Sequence, residues 1–181
     1  MLQVLARLAG IGVVERWACY GGAFNGAIDS PAARRESYAF RLLVEPACLA
    51  QPGFALAPGW SAAMRARHTA ALRSPWHDGM AVAFYDMNAA FHEGLAEASG
   101  NRFLLASVRQ QNRLRRFLNI HWTYGPERVR INCTEHLAIL DCLDAGDRPG
   151  AAALMRAHLE GAARLRHAAF RGRDTEASPP S

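Results

Sequence analysis

The four residues Gly146-Asp147-Arg148-Pro149 constrain the fold of this 181-residue chain more than any other stretch. Glycine suits the left-handed position that closes a helix, aspartate caps the next helix, and proline is tolerated in a first turn. One helix therefore ends and another starts within a few residues, which folds the pair back as an antiparallel hairpin. Breaks at Gln51-Pro52-Gly53, Ser74-Pro75, Gly100-Asn101 and Gly125-Pro126 divide the sequence after Ala32 in the same way. The segments between them show no convincing β-alternation, so this part is predicted all-α. Helices are expected over about 33–50, 59–72, 77 or 80 to 99, 101–124, from there to 145, and on to 171. Ahead of them, residues 2–9 have helical apolar spacing, Val13 to Trp17 reads as a short strand, Tyr20-Gly-Gly as a turn and Ala23 to Asn25 as a returning strand. Residues 27–31 read as a linker, and 173–181, polar and rich in Pro and Ser, as a disordered tail.

Charge narrows the partners only a little. The formal net charge is +5 and the pI about 9.5, which permits an anionic partner such as DNA or a small carboxylate. All 21 basic residues are Arg, however, and that pattern fits a GC-rich coding bias as well as it fits nucleic-acid binding. No apolar run approaches the roughly 18 residues that span a bilayer, and the first residues lack the order of a signal peptide. A cytoplasmic protein is expected. Cys19, Cys48, Cys133 and Cys142 have no C-x-x-C spacing, which argues against a cysteine zinc site and for reduced, buried thiols.

Counting along the helices places a candidate site. Asn88 and His92 lie four residues apart, so they share one face of a helix. Gly100 is placed to end that helix and Asn101 to cap the next. His136 lies ten residues before Gly146 and His158 eleven after Asp147. At about 1.5 Å per residue the two imidazoles stand some 15 and 16 Å from the turn, level across the hairpin. His92 and Asn88 precede Gly100 by eight and twelve residues, a comparable depth if that helix is an antiparallel neighbour. Three neutral imidazoles and an amide oxygen suit Zn²⁺, Ni²⁺ or Mn²⁺, with positions left for water or ligand. The plainer reading of any one of these histidines is a surface or core residue.

Three stretches resemble the FCD domain, the effector-binding domain of FadR-type regulators in the GntR family of bacterial transcription factors. They are Asn88-Ala-Ala-Phe-His92 through Gly100-Asn101, Glu135-His136 through Gly146-Asp147, and Ala153-Leu-Met-Arg-Ala-His158. Tyr38-Ala-Phe-Arg41 through Glu45-Pro46 is similar to the start of its first helix, and the likeness runs from about Glu36 to Arg171. It implies an antiparallel bundle of about six to seven helices, with a metal ion, zinc first, held at positions matching Asn88, His92, His136 and His158. It also implies a small organic acid beside that ion, a homodimer, and Arg41 as a residue lining the effector pocket. The alternative for Arg41 is an i,i+4 pair with Glu45 on the helix surface. Asn in the first ligand position leaves the ligand set uncharged, which weakens ion affinity and strengthens the pull on an anionic effector.

Residues 1–30 resemble only the end of a winged helix-turn-helix, which sets the expected domains: this remnant and linker, an FCD-like domain over 31–172, and the tail. Specific DNA binding is expected only through a complete N-terminal domain. The leading function is effector-controlled transcription regulation, not catalysis. The rivals are a metal-dependent, hydrolase-like enzyme, disfavoured because no H-E-x-x-H motif is present, and an orphan ligand-binding or dimerisation module. Among other residues, Glu135 is expected at the surface or between helices, and His68, His77 and His167 as structural or exposed. Arg109, Arg113, Arg115, Arg116 and His121 are read mostly as a solvated face, and Trp60, Trp76, Phe84, Phe91 and Phe103 as core.

Overall fold

A computed structural model describes residues 15–16, 24–25, 31–119 and 125–174. The described residues form six α-helices: α1 (Pro31–Leu49), α2 (Trp60–Arg73), α3 (Ala81–Ala98), α4 (Arg102–Asn119), α5 (Pro126–Asp144) and α6 (Arg148–Asp174). A single 3₁₀ turn, Asp78–Met80, leads into α3. The expected hairpin is present where it is described, as antiparallel β1 (Glu15–Arg16) and β2 (Phe24–Asn25) pairing Glu15 with Asn25. The helix expected over 2–9, the turn at 20–22, the linker before Pro31 and His121 lie outside the described residues. So do 175–181 of the expected tail; Arg173 and Asp174 instead continue α6.

The breakers act as their chemistry requires. Gly100 and Gly146 both take left-handed φ, +68° and +76°. At the second, Asp147 N–H donates to Cys142 O at 2.8 Å and Gly146 N–H to Leu143 O at 3.1 Å, the paired bonds of a Schellman end. Asp147 Oδ1 then accepts from Gly150 N at 2.9 Å and caps α6. Asn101 Oδ1 caps α4 through the amides of Phe103 and Leu104. In α1, Pro46 has no N–H for the carbonyl of Leu42 four residues back. Arg156 of α6 reaches that oxygen at 3.5 Å, so the helix continues to Leu49.

The helices pack as α1 on α6, α6 on α5, α5 on α2, and α3 on α4, with α3 and α4 also against α1. Leu49, Phe91, Leu95, Ile139, Leu140 and Leu159 form the main core where α1, α3, α5 and α6 converge. Phe84, Met87, Val129 and Cys133 make a separate, smaller cluster between α3 and α5. Cys48 and Cys133 are free and buried, and Cys142 is free and half-buried. Phe103 departs from the expected core: it is 70% exposed at the start of α4, where the guanidinium of Arg102 lies 5.0 Å from its ring centre. Arg115 departs in the opposite sense, buried on α4 beside the ring of Tyr38.

Candidate metal centre

Three helices bring His92, His136 and His158 together, all buried, with ligand-capable atoms within 4.8 Å of one another. The α5–α6 hairpin does what the counting requires: His136 Nε2 and His158 Nε2 stand 3.3 Å apart. Phe91, fully buried, stacks flat on the His136 ring with centroids 3.9 Å apart and 7° between planes, fixing its tilt. Asn88 is also buried, one turn before His92. Its Oδ1 faces Asn132 Nδ2 at 3.5 Å, while Asn88 Nδ2 and Asn132 Oδ1 have no partner.

Each imidazole is held from behind at Nδ1. His158 Nδ1 lies 2.6 Å from Glu135 Oε2, so it donates to that carboxylate. His68 Nδ1 faces the carbonyl of Met64 at 2.7 Å and must donate to it, since a carbonyl only accepts. Neutral His68 is left with a bare Nε2, which accepts from His136 Nδ1–H at 2.9 Å. His92 Nδ1 lies 2.6 Å from Glu45 Oε2; the contact is too bent for a full hydrogen bond, yet an ionised oxygen there draws the proton to Nδ1. Burial depresses the affinity of all four histidines for a second proton, taking His92 down to about 3 and His136 well below its ordinary value. All are neutral near pH 7. The proton of each cluster histidine is therefore on Nδ1, and three bare Nε2 atoms converge. The 3.3 Å approach of two such lone pairs is no hydrogen bond but a repulsive contact that a cation would relieve.

Glu45 balances the layer behind His92. Burial raises its proton affinity, but the charge of Arg41, the close contact with His92 and the hydrogen bond from Arg41 Nε outweigh this and hold it well below the usual carboxylate range. Arg41 Nε donates to Glu45 Oε1. Arg41 thus makes the expected i,i+4 pair, but not at the surface: it is 1% exposed, and its Nη2 has no hydrogen-bond partner. Around the three neutral rings of the triad stand two guanidinium groups, Arg41 and Arg128, and two carboxylates, Glu45 and Glu135, so an added divalent ion would keep its charge.

Glu135 takes the between-helices place expected for it and holds His158 across the helix pair, and His68, expected only as structural or exposed, is completely buried against His136. Asn132 was missed altogether, although it stands four residues before His136 just as Asn88 stands four before His92. Arg109 and Arg113 are exposed as expected, and His77 is exposed; the side chains of Arg116 and His167 lie outside the described residues.

The described helices form an all-α bundle around a buried, inward-facing histidine triad. The chain belongs to the FCD-domain family: residues 36–161 match the FCD domain, the effector-binding domain of GntR-family regulators. No curated protein and no solved structure gives a significant match. No described helix is long and apolar enough to cross a membrane.

Proposed function

We propose that this chain is the sensing part of a GntR-type transcription regulator, in which a buried divalent ion and a small organic acid together set the packing of the bundle. The supporting observation is the convergence of three Nε2 lone pairs with no donor among them. His92, His136 and His158 would hold the ion. Asn88 joins them through Oδ1 once its amide and that of Asn132 are both turned, so that Asn88 Oδ1 replaces the unpartnered Nδ2 and Asn88 Nδ2 donates to Asn132 Oδ1; amide nitrogen and oxygen are interchangeable in shape. Nitrogen-rich, uncharged donors favour Zn²⁺, with Ni²⁺ and Mn²⁺ as alternatives. The ion would supply positive charge with positions open to an anionic oxygen, and that makes a carboxylate the fitting effector class.

The chain's own residues supply the rest. Glu45, His68 and Glu135 hold the three ring orientations, and Arg41 adds a buried positive charge on the far side of Glu45. Both carboxylates beside the triad are engaged at Nδ1 atoms, away from the Nε2 side where a general base would have to act, which favours sensing over hydrolysis. A homodimer would carry the change in packing to DNA through a complete winged helix, of which β1 and β2 would be the closing strands.

Elemental analysis of purified protein tests the site. About one zinc-class ion per chain is expected, and its loss in His136→Ala. Retention at full occupancy in that variant, with its helical signal intact, sinks the proposal.

A further inference from the structure

Two adjoining spaces lie beside the histidine triad and share part of their lining. The outer one is a groove of about 200 Å³ where the end of α2 meets the start of α5, with Leu72, Trp76, Pro126 and Arg130 in its lining. The inner one is a cavity of about 10 Å³ that reaches Asn88, Asn132, Cys133 and His136. Phe84 and Val129 line both, and form the wall between them. Each is buried, at 7% and 5% exposure. We propose that this groove is the port by which small organic acids reach the histidine triad, with Phe84 and Val129 as the wall that selects them by size.

Three observations carry the inference. The inner cavity holds two buried amides with unpartnered polar atoms, Asn88 Nδ2 and Asn132 Oδ1, and such atoms cost stability unless something bonds them. Its volume admits about one water and no organic acid, so the wall has to move for a ligand to enter. The wall is also built to move as a unit. It belongs to the small cluster between α3 and α5, separate from the main core, and Trp76 on the segment joining α2 to α3 stacks on Phe84 with centroids 5.5 Å apart and 21° between planes. Swinging this aromatic pair aside joins groove to cavity without disturbing Leu49, Phe91 or Ile139. The apolar groove walls select a compact acid with one apolar side, and Arg130 at the rim, already held by Glu127 at 2.7 and 3.0 Å, offers it only a shared guanidinium. This role rests on the reading of the triad as a ligand site.

Cys133 lies behind the wall and Cys48 lies in a different cluster, both almost completely buried, so the protein carries its own reporter and reference. Iodoacetate, itself a compact carboxylate, alkylates a cysteine that it can reach, and peptide mass spectrometry follows each thiol separately. Phe84→Ala is expected to raise the Cys133 rate about tenfold or more while the Cys48 rate stays unchanged, the mark of local rather than global opening. Val129→Trp is expected to lower it several-fold by filling the passage. An unchanged Cys133 rate in Phe84→Ala, or a parallel rise at Cys48, overturns the port. Zinc content measured on the same samples separates the two readings. Normal zinc with an unresponsive Cys133 refutes the port and leaves the metal site standing. A responsive Cys133 in a chain that binds no metal supports the port and refutes the metal site.

Discussion

Replacing Glu45 by glutamine separates the electrical role of that residue from its shape. The carboxylate has an oxygen for Arg41 and another for His92, whereas the carboxamide has only one acceptor. If Arg41 keeps the oxygen, the amide NH₂ faces His92 Nδ1 and makes it an acceptor. The His92 proton then moves to Nε2, where it occupies the lone pair meant for the ion. Loss of an orienting partner behind a metal-bound histidine typically costs 10–100-fold in affinity. The tautomer reversal places this variant at the upper end, about 100-fold, or roughly 2.7 kcal/mol at 1.36 kcal/mol per tenfold. Separately, Arg41 stays buried without its counter-charge, which costs the apo protein about 3 kcal/mol. Guanidinium denaturation in excess chelator measures the second effect, and competition against a zinc chelator the first. A folded Glu45→Gln variant that binds zinc within about threefold of the parent would refute the assigned tautomers, because no arrangement of a carboxamide at this position preserves both contacts.

Acid should destabilise the metal-free protein through the same cluster. His92 resists a second proton down to about 3 when folded, whereas the unfolded chain takes one up near 6.5. Between those values the unfolded state binds more protons, so stability is full above about pH 7 and is lost on acidification, about 2 kcal/mol from His92 alone by pH 5. His68, His136 and His158 shift in the same direction, and a flat stability profile from pH 7.5 to 5 in chelator would contradict their burial as neutral rings. Gly94→Ala should destabilise, although Ala in a helix interior normally gains about 1 kcal/mol over Gly. A Cβ at Gly94 would lie 2.4 Å from Trp60 Nε1, so the indole must shift and a net loss of about 1–3 kcal/mol is expected in thermal melts.

Sequence showed most clearly what is local. Gly100 and Gly146 specify left-handed ends by themselves, and once the second is fixed the level of His136 and His158 follows from the helical rise. Rotation about the helix axes is set by packing, and sequence could not give the residues that depend on it. Arg41 and Glu45 have the same i,i+4 spacing whether they lie on the surface or in the core; only the seating of α1 against α3, α4 and α6 buries them. Glu135 points away from its neighbour His136, as adjacent helical residues must, and it is the crossing of α6 that brings His158 to it. His68 bears no local mark because its partner is 68 residues away. Asn132 was available in principle, since its spacing to His136 repeats that of Asn88 to His92. Phe103 is exposed because it stands in the first turn of α4 beside the Asn101 cap, and an aromatic residue type does not say which side of a helix faces solvent.

The layer's supports explain why a change at one point could reach the whole bundle. His92 comes from α3 and is tied to α1 by Glu45; His136 comes from α5 and is tied to α2 by His68; His158 comes from α6 and is tied back to α5 by Glu135. Five of the six described helices thus meet at the three rings, and close-packed interiors transmit small shifts instead of absorbing them. An acid displacing any one ring also strains the contact behind it, in a helix that need not touch the acid. Only α4 contributes nothing to the triad, and it is coupled through Asn112 Nδ2, which donates to Glu93 Oε1 at 2.9 Å, one residue beyond His92. Rotation of α3 about its axis therefore moves His92 and pulls on α4 together. For that reason a ligand signal in this fold should appear as rigid movement of helices, not as local loosening around the site.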